Sequence, residues 1–221
     1  IAFTYKGDIY TGPGNGGKAA QITTNAAYDT HPVWSPDGKQ LAFASDRMGS
    51  MDIFVVDREG GIPKRLTTHS GNETPVAFKD ADHILFLANV MPSAEDAQFP
   101  SGQFQQVYEV STTGDRPVMF SSMPMEDISI NKTGNALLYH DKKGYEDPWR
   151  KHHTSSITRD IWLCSLDGKR SYRKLTSFNG EDRTPVWASD GKSFYYLSEE
   201  KGSFNVFKRA LDGTTSTQLT H

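Results

Sequence analysis

Apolar side chains in this chain come in short, dense runs broken by turn residues, and no periodicity of three to four residues persists anywhere. Four segments share one plan. A first apolar run is followed by a tight turn, a second run, a loop of variable length, a third run, a glycine turn and a fourth run. The first runs are PVWS at 32–35, PVAF at 75–78, DISI at 127–130 and PVWA at 185–188. The turns that follow are Pro36-Asp37-Gly38, Asp80-Ala81-Asp82, Thr133-Gly134 and Asp190-Gly191. Asp-Gly between apolar runs is a strong hairpin signal, because glycine accepts the positive φ that such a turn needs. The second runs (LAFAS, ILFLA, ALLYH, SFYYLS) and the third (DIFVV, QVYEV, DIWLC, NVFKR) are rich in aromatic and branched residues, as strands are. The fourth are KRLT at 64–67, VMFS at 118–121, RKLT at 173–176 and TQLT at 217–220.

Four short antiparallel strands recurring every 43 to 58 residues predict an all-β chain, a β-propeller of four-stranded blades. Blades stacked on both sides bury both faces, which accounts for near-continuous apolar runs in place of clean alternation. PVWSPDGKQLAFASDR at 32–47 and PVWASDGKSFYYLSEE at 185–200 agree at seven of sixteen positions, so the inner hairpin of a blade is written twice. Trp34 and Trp187 hold equivalent places in it and are predicted to be largely buried between blades. The full blades fall at 29–72, 73–124, 125–180 and 181–221 of a single domain, 1–221. Ahead of them IAFTY, DIYTG at 8–12 and AQIT at 20–23 make a partial blade, 1–28, that lacks its first strand. The chain also opens without Met or a leader. Native sequence is therefore expected before Ile1, and the open ring is expected to be covered by that sequence, by a partner chain or by a second copy in a homo-oligomer.

Composition narrows the partners. A chain of 221 residues with 36% hydrophobic and 23% charged residues is globular in type. A net charge of −3 argues against nucleic acid, and no apolar run nears the roughly 20 residues of a membrane-spanning helix, so no membrane insertion is expected. The single cysteine, Cys164, excludes an internal disulfide and a Cys-based zinc site.

The string PVWSPDGKQLAFASDRMGSMDIFVVDREGGIPKRLT at 32–67, with its degenerate copies, resembles the TolB-like propeller repeat shared with the tricorn family of proteases. The resemblance covers essentially the whole chain and is specific for fold. A second string, KKGYEDPWRKHHTSSITRDIW at 142–162, is similar to an insertion in the N-terminal propeller of exported bacterial tricorn-like proteases with PDZ-like domains. The resemblance implies a six-bladed ring, of which four full blades and a partial fifth are present. It implies a periplasmic or exported location, and a serine nucleophile far downstream of the propeller. This region would then be no enzyme, but a module that binds or guides peptide or protein ligands and contacts other domains of its polypeptide. The alternative is a TolB-like periplasmic scaffold for protein–protein contacts. A propeller hydrolase or lyase is a third reading, and no acid–base constellation points to it.

Several motifs admit a chemical and a purely structural use. GPGNGGKA at 12–19 has the spacing of a phosphate-binding loop but lacks the Ser or Thr after Lys18. Gly16-Gly17 also align with Gly60-Gly61 in the turn between third and fourth strands, so a turn is expected and no cofactor. No G-x-S-x-G elbow is present, and Cys164 in a third strand reads as an inert buried thiol. His152-His153 beside Glu146 and Asp147 lack the spacing of metal ligands, so no metal site is expected. Tyr145, Trp149, Arg150, Lys151, His152 and His153 combine aromatic and basic character, the mix that anchors protein interfaces. Loops between second and third strands are short in SDRMGSM and SEEKGSF but long at 89–105 and 141–159, on the face that also carries the inter-blade connections. Asp29, Glu73, Glu126, Glu181 and Asp182 fall just before the innermost strands on that face. A carboxylate rim there could draw peptide amino termini, although capping turns and pairing with Arg183 is the expected use of such residues.

Overall fold

A computed structural model describes residues 1–89, 105–144 and 157–221, and among them every regular element is a β-strand. The first sheet holds β1 (Ala2–Tyr5), β2 (Asp8–Thr11) and β3 (Ala20–Gln21). The second holds β4 (Asp29–Trp34), β5 (Gln40–Ser45), β6 (Asp52–Asp57) and β7 (Lys64–Arg65). In the third are β8 (Glu73–Phe78), β9 (His83–Ala88), β10 (Gln106–Ser111) and β11 (Val118–Ser121). The fourth comprises β12 (Met125–Ile130), β13 (Ala136–Asp141), β14 (Ile161–Ser165) and β15 (Ser171–Lys174). The fifth comprises β16 (Asp182–Trp187), β17 (Ser193–Ser198), β18 (Asn205–Ala210) and β19 (Ser216–Gln218). Each sheet is an antiparallel meander in sequence order, the blade plan read from the repeat.

The chain divides into two compact units, Ile1–Met123 and Pro124–His221. In the first unit the second sheet is buried on both faces. Leu41, Phe43, Phe54 and Val56 pack with Ile9, Ala2 and Ile22 of the first sheet. Ala42, Ile53, Val55 and Leu66 pack with Phe86, Tyr108 and other residues of the third. That two-sided burial is why LAFAS and DIFVV lack polar alternation. In the second unit Leu138, Ile161 and Leu175 of the fourth sheet meet Phe194, Tyr196 and Phe207 of the fifth. Aromatic pairs recur across neighbouring strands, Phe43 with Phe54 at 6.0 Å and Phe86 with Tyr108 at 5.7 Å between ring centres.

Two expectations need correction. The innermost strands start about three residues before the prolines that seemed to open them. Pro32, Pro75 and Pro185 sit inside β4, β8 and β16 because each strand carries a register shift there, and a bulge is where a strand tolerates proline. Beside three of the bulges His31, Asp127 and Thr184 take positive φ of 53°, 48° and 54°. The tryptophans are only half-buried: Trp34 and Trp187 lie at the margins of their clusters, because the bulge turns the inner strand before they are reached. The Gly16-Gly17 turn does match Gly60-Gly61, with φ of 90° and 131° against 87° and 121°.

Candidate functional site

The earlier strand starts change the place of the acidic residues. Asp29, Glu73 and Asp182 are the first residues of β4, β8 and β16, and all three are buried. Asp29 holds Arg47 by both oxygens at 2.9 Å, with the guanidinium 4.6 Å from the centre of the Phe54 ring. Glu73 accepts the hydroxyl of Thr67, the last residue of KRLT. Thr67 accepts in turn from the Ile53 backbone N–H at 2.8 Å. A backbone amide of one sheet is thus linked through a threonine to the carboxylate that opens the next.

The second unit repeats the first half of this link. Ile161 N–H donates to Thr176 at 2.9 Å, and the Thr176 and Ser198 hydroxyls work against the rise of the Asp182 carboxyl. Thr23 and Thr220 receive the same backbone bond, from Ile9 and Val206, both at 2.9 Å. The terminal Thr of each run thus takes a backbone N–H of its own sheet, and Thr67 passes the link on to the next sheet, whereas Thr23 and Thr220 donate within their own sheets, to Asp8 and Asn205. Burial pushes the Glu73 carboxyl up to about 7 and that of Asp182 up to about 6, outweighing the hydroxyls they accept. Both are out of contact with water and so are poorly placed to draw a ligand.

Glu126 and Glu181 are engaged in another way. The Glu126 carboxyl is held down at about 2, first by the bond from His140 and then by Lys142. Lys142 Nζ lies 2.7 Å from Glu126 Oε1, and His140 Nε2 lies 3.2 Å from Oε2. The other ring nitrogen of His140 accepts the Thr184 backbone N–H at 3.1 Å, so the proton of a neutral ring sits on Nε2, facing Glu126. Thr184 Oγ1 donates to Asp127 Oδ2 at 2.7 Å, and Trp187 Nε1 donates to the Ser129 carbonyl at 2.9 Å. The bulged inner strands β12 and β16 are thereby fastened to one another. Glu181, also buried, receives Arg159 Nη1 at 2.6 Å. Arg183 lies over the Phe204 ring at 4.0 Å, instead of pairing with the acidic rim as expected.

Among the described residues no three His, Cys, Asp or Glu side chains are placed to hold a metal ion. Cys164 is buried, and burial pushes its thiol up, away from nucleophilic use. Tyr145, Trp149, Arg150, Lys151, His152 and His153 lie outside the described residues, as does most of the 89–105 insertion. What the register fixes is where those insertions leave and return. Glu73 pairs with Ala88 and Ala88 with Gln106, while Met125 pairs with Asp141. Each insertion thus springs from the end of its own sheet at which the inner strand begins.

The model of the tricorn protease N-terminal β-propeller domain matches residues 1–221. Tricorn protease homolog 1 of Streptomyces coelicolor is 25% identical over 97% of this chain, which spans only 19% of that protein. TolB from Acinetobacter baumannii superposes with a TM-score of 0.73 at 18% identity, over 96% of this chain and 48% of TolB. The tricorn protease superposes with a TM-score of 0.71 at 18% identity, over 98% of this chain and 21% of that one.

Proposed function

Because this chain belongs to the tricorn protease N-terminal β-propeller family, we propose that it is a non-catalytic propeller module that binds or guides peptide or protein ligands for a tricorn-like protease. The family match over the whole chain carries the reading. Two features of the described residues agree with it. The buried or paired acidic residues are committed to fastening sheets together, with Glu126 held ionised and Glu73 and Asp182 shielded from water. Both long insertions issue from the sheet ends where inner strands begin, the kind of end on which repeat proteins carry binding loops.

On this reading the ligand contacts fall to Tyr145, Trp149, Arg150, Lys151, His152 and His153. Aromatic rings and a guanidinium bind extended peptide through stacking and through carbonyl and carboxylate groups. The location is periplasmic or exported, in keeping with the TolB-like fold. A TolB-like scaffold for protein contacts is the second reading, favoured by the superposition on TolB.

Fluorescence anisotropy of labelled, unstructured peptides titrated with the purified chain tests the first. Saturable binding that weakens roughly tenfold or more in Trp149→Ala or Arg150→Ala is expected, a loss of about 1.4 kcal/mol per decade. Binding untouched by either change would move the site elsewhere, and no binding at all would favour the scaffold.

A further inference from the structure

The seam between the fourth and fifth sheets is not filled along its whole length. A groove of about 450 Å³ opens there, within the usual size of small-molecule sites. Tyr196, Phe207 and Arg209 of the fifth sheet form one wall, and Thr176, Ser177 and Phe178 of the connection leaving the fourth form the other.

Comparison of equivalent positions shows what is unusual. Register places Arg209 of β18 where β6 has Val56, β10 has Val110 and β14 has Cys164. Those three are buried at 3%, 1% and 0% exposure, and Val56 and Val110 help fill the seams of the first unit. The fifth sheet puts a guanidinium there instead. The outer strand has changed in the opposite sense. Arg65 and Lys174 pair with Asp52 and Asp160 at 2.7 and 2.8 Å, but the matching residues of the fifth sheet are Gln218 and Asn205. The fifth sheet thus lacks the outer ion pair and carries a cation facing the groove. Arg209 makes one hydrogen bond, from Nε to the Gly213 carbonyl at 3.0 Å, and no ion pair among the described residues. Its two terminal nitrogens remain as donors.

Hydroxyls surround it. Tyr196 and Ser216 share one hydrogen at 2.7 Å, which leaves the second hydroxyl hydrogen free to donate, and Thr214 and Thr215 also line the groove. The carboxyl groups present are Asp182 and Glu200. Glu200 stands 3.5 Å from Lys201, and Asp182 is deeply buried with Oδ1 unpartnered. The partly exposed Phe178 ring supplies apolar surface beside these donors, while Tyr196 and Phe207 in the opposite wall are buried.

We propose that this groove binds a small molecule carrying a carboxylate or phosphate group, with the oxyanion on Arg209 and the Ser216 hydroxyl and the rest of the ligand against Phe178. A guanidinium with two free nitrogens matches the paired oxygens of either anion. The proposal stands apart from the peptide reading, since its probes contain no peptide bond.

Calorimetric titration of the 221-residue chain with inorganic phosphate, succinate and phenylacetate, against a chloride control, tests it and separates phosphate from carboxylate. Saturable binding of at least one probe is expected. Arg209→Val restores the residue of the second and third sheets, so it should keep the melting temperature while weakening that probe roughly tenfold or more. Arg209→Gln serves in its place should the valine variant not fold. Failure of all three probes to bind saturably, or undiminished binding by the folded variant, would overturn the proposal.

Discussion

Thr67 is the residue on which a seam of the first unit turns. It satisfies the Ile53 amide and donates to Glu73, so Thr67→Val leaves a buried N–H without an acceptor and a buried carboxyl without a donor. The expected cost is about 2–3 kcal/mol in chemical denaturation, with Thr67→Ser recovering most of it. Glu73 itself gives the chain a pH dependence whose sign follows from its surroundings. Its carboxyl titrates near 7 when folded and near 4.5 when free, so between those values the folded state holds a proton that the unfolded state releases. Its contribution to stability therefore falls as pH rises through that window and levels off above it. Glu73→Gln removes the dependence. The stability of the parent minus that of the variant should decline from about pH 5 to about pH 7, and a flat difference would count against the buried, protonated carboxyl.

At the scale of elements, strand identity was legible because it rests on apolar runs and turn chemistry, which are local. LAFAS, DIFVV and SFYYLS fall almost residue for residue on β5, β6 and β17. The inner strands were misjudged because proline argues locally against a strand, while the bulges that admit Pro32 and Pro185 are fixed by pairing with β5 and β17. That error of two or three residues moved Asp29, Glu73 and Asp182 from strand starts to a solvent rim, and so turned buried residues into ligand candidates. The threonine of each xxLT run was visible as a repeat, but the carboxylate to which Thr67 donates lies in the neighbouring sheet and could not be read along the chain. Trp187 shows the same limit: its indole N–H reaches the Ser129 carbonyl of another sheet. Trp187→Phe keeps most of its packing and loses that bond. It should cost about 1–2 kcal/mol, less than the loss from a fully buried tryptophan, as read from the urea midpoint.

For the molecule as a whole, the first sheet carries a seam face without a described neighbour. Phe3 and Tyr10 stack at 5.9 Å and 18°, nearly as Phe43 and Phe54 do at 6.0 Å and 23° inside the second seam, yet Phe3 is 36% and Tyr5 54% exposed. The chain also spans only 19% of the tricorn homologue it matches from Streptomyces coelicolor. The proposed role is therefore that of a part: it holds peptides and leaves their cleavage to other sequence. The direct measurement is to incubate the purified chain with a mixture of unstructured peptides, isolate the bound fraction by size exclusion and identify it by mass spectrometry. The account predicts peptides retained at intact mass, with no products appearing over time. Fragments generated by the chain itself, in amounts that grow with its concentration, would contradict it.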